Sequence, residues 1–262
     1  MVEFTPVVIL TGAGRGIGFA ILKYLLALPN PPNVLATSRN IKALEPLAEA
    51  HKNLHVASVD FSAPSSELRN IIPDSIINAA ISRWGRIDAL LLNHGNLEPV
   101  ARIDAAKLED WEASYRVNFL SNIEIIKNAL PELRKSSGRV VLVSSGASSL
   151  YFTGWGAYGS IKAALNHLNS TLALEEPTIT TVSIAPGIVD TDMQAEIREV
   201  HGKAMTSQEH AFFNSLKENS SMVKPEDVGA VLANLSLRVD KALSGKYLNW
   251  DDEILASYRA KL

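Results

Sequence analysis

The sequence predicts a single α/β domain: a doubly wound parallel sheet with helices covering both faces. Three observations carry that expectation. Short, nearly continuous apolar runs rich in β-branched residues recur along the chain, as strands buried on both faces require. Most of the early runs are followed by longer stretches of helical patterning, and repeated alternation of strand and helix defines this architecture. No internal repeat, low-complexity tract or long linker interrupts the 262 residues, a length that α/β folds often build as one unit.

The elements follow in order. "PVVILT" (Pro6–Thr11) reads as a buried strand and "GIGFAILKYLLAL" (Gly16–Leu28) as the helix after it. The proline-rich "LPNPPN" (Leu28–Asn33) stops that helix and turns the chain. "NVLATS" (Asn33–Ser38) and "HVASVD" (His55–Asp60) are the next strands, and "ELRNIIPDSIINAAISRWG" (Glu67–Gly85) is a helix region. "IDALLLN" (Ile87–Asn93), "GRVVLVSS" (Gly138–Ser145) and "ITTVSIAPG" (Ile179–Gly187) continue the strand series. Polar helical sequence from Asp192 to Pro225 breaks the alternation, and is expected to lie over the site as a lid of residues 192–225 within one domain, 1–262.

Composition narrows the function. The chain is 47% apolar and 20% charged, an ordinary globular balance, with a formal net charge of -3. No basic surplus points to nucleic acid or an anionic membrane surface as a partner. There are no cysteines, so disulfides, thiolate nucleophiles and cysteine-based zinc sites are excluded. His51 and His55 are four apart but lack an acidic neighbour and read as surface histidines. The N-terminal stretch lacks a basic n-region and a cleavage site, and no run reaches the roughly 18 apolar residues of a membrane span. A cytoplasmic protein is expected.

The chemistry begins at "TGAGRGIG" (Thr11–Gly18), between the first strand and the first helix. Glycines 12, 16 and 18 permit a tight turn, close backbone approach to a pyrophosphate and close helix packing. The helix N-terminus then offers free N–H groups and partial positive charge to the phosphates, so a dinucleotide site is expected. At the end of the second strand, where a carboxylate would bind the ribose hydroxyls of NAD, stands Ser38, followed by Arg39. Arg15 sits inside the glycine loop. Two guanidinium groups and no carboxylate suit a 2′-phosphate and hence NADPH, unless both arginines are merely exposed.

The second motif is "YGSIK", which places Tyr158 four residues before Lys162, on one face of a helix. With the T-G-x-x-x-G-x-G pattern, it makes the chain resemble the short-chain dehydrogenase/reductase family over almost its whole length. The resemblance implies a Rossmann fold and an NADP-dependent oxidoreductase. Ser145, thirteen residues before Tyr158, has the family's serine spacing, and Asn118 in "YRVNFL" matches the family's helix asparagine. Reduction of a ketone needs hydride at carbon and a proton at oxygen. A free phenol, with a pKa of about 10, gives that proton reluctantly, and a nearby ammonium is expected to lower the value. Tyr158 is therefore expected as general acid in reduction, with Ser145 hydrogen-bonding the substrate oxygen. By resemblance, Lys162 also holds the nicotinamide ribose and Asn118 steadies a water between Lys162 and solvent.

The resemblance extends the cofactor set. Asp60 implies a contact with the adenine region, and "NHG" (Asn93–Gly95) stands where the family has N-A-G, with His94 a departure that either bonds or packs. "APGIVDT" implies that Pro186, Gly187, Val189 and Thr191 meet the nicotinamide carboxamide end, and Ile17 joins the glycine loop.

Narrower similarity is to sepiapterin reductases, in "GW", "ALEEP" and "DTDMQ", and more closely to the fungal benzil reductases of the same branch, in "GNLEPVARI" and "AYGSIKAALNH". These reduce a pterin side-chain ketone or one carbonyl of a vicinal diketone. Where the sepiapterin type carries a pterin-anchoring acid, this sequence has Asn249, with Asp251 and Asp252 out of register, so a diketone is the better expectation. Tyr151, Phe152 and Trp155 are expected as an aromatic wall or as core, and Met193, Met205 and Met222 as lid packing or pocket. The competing functions are a sepiapterin-type reductase, an alcohol dehydrogenase working in oxidation, and a catalytically idle NADPH-sensing module. By resemblance, a homodimer or homotetramer forms through the helix carrying "YGSIK" and its predecessor.

Overall fold

The structure is a computed structural model that describes residues 5–259; the outermost bounds expected for the domain lie outside them. The described strands are β1 (Val7–Thr11), β2 (Asn33–Ser38), β3 (Leu54–Ser58), β4 (Ala89–Leu92), β5 (Arg139–Val143), β6 (Thr180–Ala185) and β7 (Tyr247–Asn249). All pair in parallel, in the order β3-β2-β1-β4-β5-β6-β7. The principal helices are α1 (Gly16–Leu26), α2 (Glu45–Ala50), α3 (Ser65–Ile72), α4 (Ala79–Trp84), α5 (Leu108–Tyr115) and α6 (Ser121–Ser136), then α7 (Gly156–Glu175), α8 (Asp192–Glu199), α9 (Ser207–Glu218), α10 (Pro225–Arg238) and α11 (Ala256–Arg259).

Alternation along each strand builds two apolar layers, because successive side chains point to opposite faces. In β1, Val8 and Leu10 join the layer containing Leu22 of α1 and Val231 of α10. Val7 and Ile9 join the other, with Ile72 of α3, Ile125 of α6 and Leu165 of α7. Every residue of β1, β4 and β6 is buried, which is why these strands read as unbroken apolar runs. Among the described residues, no helix is long and apolar enough to cross a membrane.

The strand order places the site. The chain winds outward from β1 to β3 and then crosses to β4 on the other side of β1. Loops leaving the C-terminal ends of β1 and β4 therefore diverge and open a crevice at the switch point.

Local differences from the sequence reading have physical causes. The helix expected over Glu67–Gly85 is α3, a π-helical stretch Pro73–Asn78, and α4. Pro73 lacks an N–H for the ladder and its ring crowds the preceding carbonyls, so the helix widens there. β3 ends at Ser58, leaving Asp60 in the following loop rather than on the strand. β7, with only Tyr-Leu-Asn, is too short to show alternation and is not legible as a strand.

Candidate active site

A cavity of about 560 Å³ opens at the switch point, a size suited to a cofactor and a small substrate. Of the residues expected from the sequence to bind or react, all but Gly18, Asn118 and Tyr151 line it.

The glycine loop is a cradle that side chains would fill. Gly12 has φ +68°, a left-handed conformation in which a Cβ would stand 2.9 Å from His94 Cα. A Cβ on Gly18 would lie 2.0 Å from the Gly12 carbonyl oxygen and 2.6 Å from Asn93 Nδ2. Asn93 secures this approach, its Nδ2 donating to the carbonyls of Thr11 and Gly12, each at 3.2 Å. Helix α1 begins here with no side-chain cap on its first N–H groups, which leaves them for an anion. These features fit a dinucleotide pyrophosphate.

At the outer end, Ser38, Arg39, Asn40 and Lys42 line the cavity without a carboxylate at the strand end. Arg39 lies close enough to Asp60 for its charge to help lower the Asp60 pKa. Burial opposes that shift, and the Ser62 N–H and hydroxyl, donating at 2.9 and 2.8 Å, add to it. Arg15 differs from its expected setting. Its Nη1 donates to Asp192 at 3.0 Å and Glu196 at 3.5 Å, so the first turns of α8 already match its charge. Lys42, which no sequence motif marks, is a further cation at this end.

At the inner end, Ser145 leaves β5 and Tyr158 and Lys162 stand one turn apart on α7. The Tyr158 hydroxyl interacts with the Ser145 side chain, whose oxygen also accepts the Ala147 N–H at 3.1 Å. Tyr247 of β7 donates to the Ser145 carbonyl at 3.0 Å, fixing the strand end. The Lys162 ammonium donates to the Val143 carbonyl at 2.7 Å and lies 5.6 Å from the Tyr158 ring centroid. The expected lowering of the phenol pKa is not what this geometry gives. Burial pushes Tyr158 up to about 12, only partly offset by Ser145, and the same burial pushes Lys162 down to about 8.

Asn118 sits beneath the cavity in a π-helical stretch, Arg116–Leu120, between α5 and α6. Its Oδ1 accepts the Asn96 N–H at 2.9 Å and its Nδ2 donates to Asn96 Oδ1 at 2.9 Å. The side chain thus ties the wide turn to the loop after β4, and the main-chain carbonyl accepts Asn122 Nδ2 at 2.8 Å.

His94 both bonds and packs. It stacks on Phe61, with ring centroids 3.9 Å apart. Its Nε2 meets Ser121 Oγ at 2.8 Å, and that hydroxyl donates to the Val117 carbonyl. The ring therefore carries its proton on Nε2, and Nδ1 accepts from Thr11 Oγ1 at 2.7 Å. Burial, with the Lys162 charge, pushes the pKa down to about 3. The unfolded chain, with an ordinary histidine at about 6.5, binds more protons between these values. The stability this neutral histidine contributes is complete above pH 6.5 and is lost as pH falls toward 3. The melting temperature should accordingly drop from pH 7 to pH 5, and His94→Gln should flatten that slope.

The substrate end is apolar. Leu97, Trp155, Met193 and Ile197 line the cavity here, and Trp155 stacks on Phe213 and meets Tyr158 edge-on. Trp155 Nε1 and Gln194 Oε1, both on cavity-lining residues, are buried without a partner among the described residues. Tyr151, expected in the aromatic wall, is not in it: its side chain is 92% exposed, because the chain turns outward after the short helical turn at Gly146–Ser148. Phe152 packs behind Trp155 instead. Met205 is buried in the cluster that holds Ile197 and Phe213, and Met222 meets Arg198. Asn249 does not line the cavity; its N–H donates to Asp252 at 2.8 Å.

A sheet of this order, a glycine cradle at its switch point, and a serine, tyrosine and lysine beside it define a nicotinamide-dependent oxidoreductase. The profile of the short chain dehydrogenase family matches residues 6–202, and the chain belongs to that family. An uncharacterised oxidoreductase of Saccharomyces cerevisiae is 39% identical, with 96% of this chain and 98% of that one covered. Its crystal structure superposes with a TM-score of 0.90, covering 97% and 99% of the two chains at 38% identity. A benzil reductase of the same yeast, forming (S)-benzoin, is 36% identical over 95% of this chain and 97% of its own. The NADPH-bound carbonyl reductase from chicken fatty liver has a TM-score of 0.73 and 28% identity, with 95% and 97% covered.

Proposed function

We propose that this protein is an NADPH-dependent carbonyl reductase that converts one carbonyl of a vicinal diketone to the α-hydroxyketone. The observation that carries the reading is the cavity itself: glycine cradle, Ser145–Tyr158–Lys162 and an apolar aromatic end share one wall-to-wall space. Similarity to benzil reductases supports the diketone, and Asn249, outside the lining, counts against a pterin anchor.

NADPH, when bound, supplies the hydride. The chain's own residues do the rest. The first turn of α1 and the glycine loop hold the pyrophosphate, and Lys162 holds the adjoining ribose. Ser145 donates to the substrate oxygen as negative charge grows there. Tyr158 gives that oxygen its proton, and the Lys162 ammonium stabilises the phenolate left behind. Asn118 keeps the π stretch and the loop after β4 in register below them.

Arg39, with Lys42 beside it, selects NADPH over NADH. A lost charge-assisted hydrogen bond costs about 1.5–3 kcal/mol, so Arg39→Ala should raise KM for NADPH about 10- to 100-fold and leave KM for NADH nearly unchanged. Arg15→Ala should change the NADPH/NADH ratio less, since Asp192 and Glu196 already engage it. Initial rates with benzil, 2,3-butanedione and sepiapterin test the substrate class. Diketones should be turned over in preference, and a preference for sepiapterin would refute the diketone assignment.

Large apolar side chains stand exposed on the helices before and including the "YGSIK" segment: Leu108, Leu120 and Leu174. They support association into a homodimer or homotetramer, which the molar mass in solution tests.

A further inference from the structure

Among the contacts that fasten segment 192–225 to the body of the protein is one carboxylate that reaches the chain beside Trp155. Glu209, in the first turn of α9, spreads its two oxygens over two parts of the chain. Oε2 accepts the Thr206 N–H at 2.9 Å and the Thr206 hydroxyl at 2.7 Å, which completes a helix-capping box. Oε1 does something a cap does not require: it accepts the backbone N–H of Thr153, 56 positions away, at 2.8 Å. Burial opposes the charge, but the bonds from Thr153 and Thr206 outweigh it and hold the carboxyl at about 2. Glu209 is an anion at any ordinary pH.

Close to Thr153 in the chain is one residue that lines the substrate end, Trp155. Two positions on, Trp155 lies 6.0 Å from the Tyr158 ring in an edge-on contact. One turn along α9 from Glu209, fully buried Phe213 stacks on Trp155 at 5.6 Å and meets Phe152 at 5.4 Å. On the opposite side, the Gly154 carbonyl accepts the Ala101 N–H at 3.0 Å. Residues 152–155 are therefore gripped between the loop after β4 and α9, and Glu209 is the ionic member of that grip.

We propose that Glu209 is a positioning residue: by holding Thr153 it fixes Trp155, and so sets the preference for aromatic over small aliphatic diketones. The proposal rests on the carbonyl-reductase reading. It makes α9 a fixed support behind Trp155, so that residues 192–225 do not close as one lid. A small diketone engages Ser145 and Tyr158 alone, whereas a diaryl diketone needs the Trp155 face in place.

The test compares Glu209→Ala, Glu209→Gln and Thr206→Ala with benzil and with 2,3-butanedione. A charge-assisted hydrogen bond lost from the wall should raise KM for benzil about tenfold in the alanine variant, with kcat within about twofold. KM for 2,3-butanedione and Kd for NADPH should stay within about twofold. The glutamine variant keeps an oxygen for Thr153 and should recover most of the loss; it carries the same comparison if the alanine variant does not fold. Thr206→Ala loses the cap and the hydroxyl bond to Oε2 but keeps the Thr206 N–H and Thr153 N–H bonds to the carboxylate. It should lower thermal stability while leaving the ratio of the two substrates unchanged. Equal loss on both substrates, or none on either, would overturn the proposal. Hydrogen exchange at the amides of 153–156 gives a readout independent of substrate. Exchange should quicken in Glu209→Ala, and unchanged exchange would refute the grip. Normal quickening with no diketone turnover by the parent protein would instead remove the functional reading, and with it the proposed effect on substrate preference.

Discussion

Tyr158→Phe should reduce turnover of a diketone by about 10²- to 10⁴-fold, the range spanned by loss of a positioned proton donor. The same variant should bind NADPH normally, because only an oxygen is removed and the ring remains against Trp155. The structure gives this prediction a pH signature. The phenol, pushed up to about 12, stays protonated and ready to donate throughout the neutral range. Lys162, pushed down to about 8, does titrate there. Above that value it loses the charge that stabilises the phenolate formed as the proton leaves, so the rate of reduction should fall as pH rises through about 8. In Lys162→Met that falling limb should disappear into a uniformly low rate. A Tyr158→Phe variant retaining most of its activity would place the proton donor elsewhere.

Gly18→Ala should have the second largest effect, and on binding rather than chemistry. The added Cβ would stand 2.0 Å from a backbone oxygen and 2.6 Å from Asn93 Nδ2, neither of which can retreat without reshaping the loop that faces the pyrophosphate. Overpacking costs up to about 3 kcal/mol. If that cost falls on the bound conformation, NADPH affinity drops about a hundredfold. Titration of NADPH fluorescence measures it, and an unchanged Kd would mean that the cradle is not the phosphate site. An alanine at Gly85, where a Cβ meets nothing within 4 Å, tests the left-handed conformation alone and should leave NADPH affinity unaltered.

The parts of the fold legible in the sequence are those set by local patterning. Strands buried on both faces announce themselves, and β2 coincides with the expected Asn33–Ser38. The motifs carry their geometry with them, because a turn before a helix and two residues one helical turn apart need no tertiary information. What escaped depends on contacts between distant segments. Tyr151 and Phe152 are equally aromatic and adjacent, yet one faces solvent and the other packs behind Trp155. The direction of the Tyr158 shift turned on burial, which residue spacing does not report. The charge of Arg15 is legible in the sequence, whereas Asp192 and Glu196, 177 and 181 positions away, decide what that charge meets. The Glu209–Thr153 bond has no sequence signature beyond the capping box in which half of it is hidden.

The most direct test of the central claim is to follow the hydrogen itself. The protein is supplied with NADPH carrying deuterium at both positions of nicotinamide C4, together with benzil, and the product is analysed by mass spectrometry. One deuterium on the carbinol carbon of benzoin per NADPH consumed, appearing about 10²- to 10⁴-fold more slowly with Tyr158→Phe, is the predicted result. Tight NADPH binding with no deuterium reaching any diketone would contradict it, and would leave a protein that holds the cofactor without using it.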